Sequence, residues 1–156
     1  MYKKILVPHA GTPGGDLALK HAIHIAKTSA AKIIILHVIE EIQHPITFAL
    51  GASEREDLLN SINEANESLR KEMEKVMMTH SQHCKDNNID VEIQVKIGDA
   101  AEIILDLVQK ENIDLVVMSK RRKLKGVKKL LSLGSVSRKI VEHVPCPVTL
   151  IDIENI

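Results

Sequence analysis

The stretch DLVVMSKRRKLKGVKKLLSLGSVS, residues 114–137, decides the fold. It opens on an apolar run, Leu115–Met118, the length of one buried strand. A strongly basic loop follows, carrying Lys120, Arg121, Arg122, Lys123, Lys125, Lys128 and Lys129. It closes on Gly134-Ser135, after which Val136–Val141 reads as a helix. A strand feeding a loop that ends in Gly-Ser at a helix start has the geometry to hold a phosphate. Glycine lets the backbone approach a ligand, and the first helical N–H groups have no partner within the helix. The serine either caps the helix or donates to an anion. The same residues also fit a solvated basic loop before an ordinary capped helix.

Upstream, Ala100–Glu111 has Ile103, Ile104, Leu107 and Val108 at helical spacing. Val91–Ile97 alternates strictly and reads as an edge strand. Before it, Leu58, Ile62, Ala65, Leu69, Met73, Val76, Met77, His80 and Cys84 recur every three or four residues. They predict one long amphipathic helix ending near Asn87-Asn88, its methionines in the core. Ser53-Glu54-Arg55-Glu56 has the form of a capping box and predicts the start of that helix at Ser53. Glu40–Ala52 lacks a period and contains Pro45 and Gly51, so it reads as a mobile connection. Ile33–Val38 is apolar on both faces, as a central parallel strand is. Lys4–Pro8 reads as the first strand, His9–Gly15 as a turn-rich loop and Asp16–Lys27 as a helix. Downstream, Val144-Pro145-Cys146-Pro147 breaks the chain and Val148–Ile151 reads as a fifth strand. Five strands alternating with four helices predict an α/β fold, a doubly wound parallel sheet with right-handed crossovers.

At 156 residues the chain is read as a single domain, 1–156. Lysine plus arginine equal aspartate plus glutamate, 21 against 21, so global charge favours no partner and the local basic excess matters more. Tyr2 and Phe48 are the only aromatics, which argues against nucleic-acid binding by base stacking. Cys84 and Cys146 form no CxxC pattern and read as buried hydrophobes. With neither a signal peptide nor a long apolar span, the expectation is a cytoplasmic protein without membrane contact.

Histidine is abundant. His21 and His24 lie three apart on one expected helix, and His80 and His83 on another, a spacing metal ligands use. No carboxylate or cysteine completes either set, so no metal site is expected. His9 sits in the expected ligand loop, where it would stack on a base, donate to a ribose or pack at the strand end. Glu40 and Glu41 follow the second strand near the same mouth. Ser135 and Ser137 are possible phosphoryl acceptors, but no nearby acid reads as their base, and the enzyme reading is weak.

Nearly the whole chain resembles the universal stress protein family. The matching pieces are KKILVPHAGTPGGDLALKHAI, IIILHVIE, IQVKIGDAAEIILDLVQKENIDLVVMS and LGSVSRKIVEHVPCPVTLI. The resemblance implies a five-stranded sheet in the order 3-2-1-4-5, a homodimer joined along Val148, Thr149, Leu150 and Ile151, and an adenine-nucleotide site between strands 1 and 4. That family's ATP-binding members carry G-2x-G-9x-G-[ST] and an aspartate after the first strand. Here Gly134-Ser135 matches the end of the glycine pattern. In one register Ser119 and Arg122 fill the earlier glycine positions; counted back from Gly134 they are Arg121 and Leu124. Gly126 is the only other glycine in the loop, and Ala10 stands in the aspartate position. Val38 matches a position that touches adenine.

The resemblance thus implies a site of Pro8, His9, Ala10, Gly11, Thr12, Val38, Met118, Ser119, Arg121, Arg122, Gly126, Gly134, Ser135, Val136 and Ser137. The favoured reading is a dimeric regulatory protein that holds AMP or ATP, with Mg²⁺ entering only alongside ATP. Weak ATPase activity or autophosphorylation stays open. The other reading is a dimeric interaction module that binds no nucleotide.

Overall fold

The computed structural model describes residues 1–41, 50–120 and 133–153. Its elements are β1 (Lys4–Pro8), α1 (Pro13–Ser29), β2 (Lys32–Ile39), α2 (Ala52–Asp86), β3 (Val91–Ile97), α3 (Ala100–Lys110), β4 (Leu115–Lys120), α4 (Ser135–His143) and β5 (Val148–Asp152). The strands form one sheet in the order β3-β2-β1-β4-β5, every neighbouring pair parallel. The expected α/β architecture and strand order hold.

Strand side chains alternate between faces, so each central strand feeds two cores. Ile5, Val7, Ile33, Ile35, Leu115 and Val117 pack beneath α1 and α2 with Ala18, Leu19, Ala22, Met77 and Cys84. Leu6, Ile34, Leu36, Val116 and Met118 pack on the other face with Ala101, Ile104, Leu107, Val108 and Ile140 of α3 and α4. This double burial is why the central strands read as unbroken apolar runs. One carboxylate pins the lower edge: Asp114 accepts the backbone N–H groups of Lys3 and Lys4 at 2.8 and 2.9 Å.

Several expected boundaries move. α1 begins at Pro13, because proline's fixed φ suits the first helical position and its missing N–H loses nothing there. α2 starts at Ala52 with Gly51 as N-cap, so the expected Ser53 cap is wrong. Glu54 Oε2 accepts from Gly51 N–H at 3.2 Å, leaving Ser53 in the first turn; glycine has no side chain to complete a box. The connection read over Glu40–Ala52 lies largely outside the described residues. β4 continues through Ser119 and Lys120, so Lys120 belongs to the sheet and pairs with Asp152 of β5 at 3.0 Å. The rest of the basic loop, Arg121–Lys129, lies outside the described residues.

α2 also departs from its expected burial. Only Met77, Ser81 and Cys84 are buried in its 35 residues. The apolar stripe ahead of them finds little cover: Leu58 and Ile62 are half-buried, and Ala65 and Leu69 are exposed. That half relies on surface pairs of Arg70 with Glu67 and Glu74. Exposed ion pairs are screened by water, whereas burying a methionine contributes about 1.5–3 kcal/mol. The C-terminal third therefore anchors the helix. Among the described residues no helix is long and apolar enough to cross a membrane.

Candidate functional site

β1 lies between β2 and β4, and the helices that follow β1 and β4, α1 and α4, pack on opposite faces of the sheet. Diverging exits open a crevice at the carboxyl ends of the strands. Here it is a cleft of about 620 Å³. Pro8, His9, Ala10 and Thr12 form one wall, Val38 and Glu40 a second, and Met118 and Ser119 the floor at β4. Leu133, Gly134, Ser135, Val136 and Ser137 close it. Ala100 and Ile104 of α3 and Leu36 and His37 of β2 also line it. Those four and Leu133 were not expected from sequence. Ala100 and Ile104 read simply as core helix, and only tertiary packing carries them to the cleft.

Gly134, not Ser135, is the N-cap of α4, and among the described residues no side chain caps this helix. The first-turn N–H groups have no intrahelical acceptor. Ser135 is exposed and Ser137 buried. A second cavity of about 480 Å³ adjoins the first and shares Glu40, Ala100, Ser135 and Val136 with it. Its other charged lining groups are Glu41, Asp99, Glu102 and Lys139. Asp99 already caps α3, accepting from Glu102 N–H at 2.9 Å. Of the two helix starts lining these cavities, α4 alone lacks a side-chain cap among the described residues. Among the described residues no hydrogen bond joins Ser135 or Ser137 to an imidazole or carboxylate, so neither has a base in place.

The remaining expected residues fall elsewhere. Gly11 is exposed and outside the cleft lining; its φ of 70° is the left-handed conformation glycine adopts without strain. Arg121, Arg122 and Gly126 lie outside the described residues. Val148–Ile151 sit in β5, at the end of the sheet.

His9 is the main revision. It lines the cleft with its neighbours, but its side chain has no exposed surface, so its backbone and not its ring faces the cleft. Of its three readings, strand-end packing is the one that fits. A Cβ on Gly15 would stand 2.8 Å from His9 Cε1, so the ring lies directly on the glycine of α1. His80 of α2 covers it with ring centroids 4.4 Å apart. His9 Nδ1 accepts from Gly11 N–H at 3.0 Å, and His9 Nε2 lies 3.3 Å from Asp16 Oδ1. His80 Nδ1 lies 2.7 Å from the same oxygen. His37 Nδ1 reaches the His9 carbonyl at 2.8 Å. Burial first, then the neighbouring His80, hold the His9 pKa below the ordinary imidazole value, so the ring is neutral at pH 7.

His9, Asp16 and His80 offer three ligand atoms within 4.8 Å of one another, a spacing one metal ion could use. Hydrogen-bond polarity argues against it. A backbone N–H only donates, so Nδ1 of His9 carries the lone pair and Nε2 carries the proton. A ligating histidine has the opposite polarity, donating from its outer nitrogen. The residues do not fit a metal.

A doubly wound parallel sheet with a cleft at its switch point defines a Rossmann-like α/β protein. Within that class the chain belongs to the universal stress protein family, whose model matches residues 1–152. It is 28% identical over 151 residues to the universal stress protein of Methanothermobacter thermautotrophicus, covering 97% of this chain and 96% of that one. Among solved structures it is similar to MJ0577 of Methanocaldococcus jannaschii, with a TM-score of 0.80 and 26% identity over 100% of this chain and 99% of the other. A universal stress protein in complex with cAMP aligns with a TM-score of 0.68 at 17% identity, covering 97% of each chain. An Arabidopsis thaliana family member with AMP bound aligns at 0.63 and 19%, covering 98% of this chain and 93% of that one. At these last identities the likeness is one of fold.

Proposed function

We propose that this universal stress protein is a regulatory homodimer that binds an adenine nucleotide at the β1–β4 switch point, AMP in preference to ATP. The observation that carries this reading is the uncapped start of α4 in the cleft wall. Its oriented N–H groups and dipole favour a phosphate there. The base lies toward Val38 and Pro8, without the aspartate contact that Ala10 cannot make. AMP complexed to one structural relative and cAMP to another support an adenine ligand of low charge.

Charge supports the monophosphate. A longer polyphosphate running past Ser135 meets Glu40, Glu41 and Glu102, with Lys139 as the single lysine among the described residues of that cavity. Mg²⁺ would enter only with ATP, to bridge that repulsion. Dimerisation is supported by β5, which pairs with β4 along one edge only among the described strands. A half-buried apolar edge strand is a template for a second copy.

Calorimetry with AMP and ATP tests the ligand. AMP should bind more tightly than ATP, and added salt should weaken it. Failure of both at about 1 mM, the weak end of specific affinity, would favour the interaction-module reading. Sedimentation tests the assembly: the unmodified chain should run as a dimer, and Leu150→Lys, with its melting transition retained, as a monomer.

A further inference from the structure

The ring of His9 is held between packed groups and hydrogen-bond partners, one of which, the Gly11 N–H, can only donate. Gly15 lies against one side and His80 against another, so the ring has no room to turn. Its edge joins two nitrogens with opposite duties. Nδ1 accepts from Gly11 N–H, and Nε2 donates to Asp16. The titratable groups that face it are Asp16 from α1, His80 from α2 and His37 from β2.

A neutral imidazole satisfies this set and a protonated one does not. The existing proton is on Nε2, so a second proton enters at Nδ1 and points at the Gly11 N–H. Two donors cannot share that space, and the clamped ring cannot rotate away. The flanking residues Ala10 and Thr12 both line the cleft, so the peptide that must yield belongs to its wall.

We propose that His9 is a proton-sensing strut: protonation of its Nδ1 expels the Gly11 N–H and releases residues 10–12 from the cleft wall. The wall is ordered when His9 is neutral and loosened by acid. With a folded pKa below the unfolded value, the strut contributes its full stability above about pH 6.5, the unfolded histidine value. That contribution is lost as the pH falls through the folded value. The inference concerns the wall itself and stands whichever ligand the cleft takes.

Nuclear magnetic resonance of the full chain without ligand tests it. At about pH 7.5, well above an ordinary histidine pKa, the His9 ring should carry its proton on Nε2. On acidification the Gly11 amide should shift with the same midpoint as His9 and exchange at least about fivefold faster, as loss of one hydrogen bond predicts. His80→Gln should raise that midpoint, because it removes a neighbouring imidazole and leaves Asp16 to His9 alone. His9→Asn places an amide oxygen near the Nδ1 position, and in that variant the Gly11 transition should vanish. A proton found on Nδ1 at neutral pH overturns the proposal. So does a Gly11 amide indifferent to His9 titration. Should His9→Asn fail to fold, the His80→Gln midpoint decides: unmoved or lowered, it refutes the strut.

Discussion

Gly15 and the ring of His9 share one space: a Cβ added to Gly15 would lie 2.8 Å from Cε1 and 2.9 Å from each ring nitrogen. The ring is buried and covered by His80, so it cannot move aside. Gly15→Ala should therefore destabilise the fold. Overpacking costs about 1–3 kcal/mol, and the helix-propensity gain of alanine returns at most about 1. The expected net loss is roughly 1–2 kcal/mol, read by urea unfolding. An unchanged or raised midpoint would mean the ring has room to spare.

Asp114 should govern part of the acid sensitivity. The Lys4 N–H first, then the Lys3 N–H, hold its carboxyl below the ordinary aspartate pKa. A depressed folded pKa contributes stability that is present above the unfolded value, about 4, and lost as pH falls through the folded value. Asp114→Asn should cost about 1–2 kcal/mol at pH 7, at the low end for charged hydrogen bonds because the pair is partly exposed. The gap between the variant and the unmodified chain should narrow as the pH falls below the unfolded value and close once the folded carboxyl is protonated. A gap that stays constant from pH 7 to 2 would remove Asp114 from this role.

Ser135→Pro isolates the helix-start donor. Proline suits the first helical position, and Gly134, at φ −59° and ψ 157°, already has the extended conformation a residue before proline needs. The helix should survive without the Ser135 N–H. If a phosphate rests on that group, AMP affinity should fall by roughly 10- to 100-fold, the loss of one charge-assisted hydrogen bond, with thermal stability nearly unchanged. Unaltered AMP binding would move the phosphate elsewhere in the cleft.

The two ends of α2 should differ in local stability. Residues 52–72 contain no buried side chain, whereas Met77, Ser81 and Cys84 are fully buried. Amides in the first part should exchange with solvent well before those of residues 77–86, as local opening scales with missing burial. Equal protection along the helix in dilute solution would mean that another surface covers the Leu58–Leu69 stripe.

The sequence by itself determined the alternation of strands and helices, because two-sided burial writes apolar runs such as Ile33–Leu36 into the chain. It also marked the Gly134-Ser135 helix start, where a glycine after a basic loop is a local signal. It could not place the start of α2. The Ser53-x-x-Glu56 pattern points to Ser53, whereas the folded chain uses the Glu54 contact to Gly51.

Tertiary structure alone decided what His9 does. Its position after β1 suggested a ligand contact, yet its partners Gly15, Asp16 and His80 come from two helices packed on the face opposite α3 and α4. Helical spacing paired His80 with His83, while packing joined it to Asp16 and left His83 exposed. Local periodicity reports which face of an element is buried; which distant polar group it meets there is set only when the layers close.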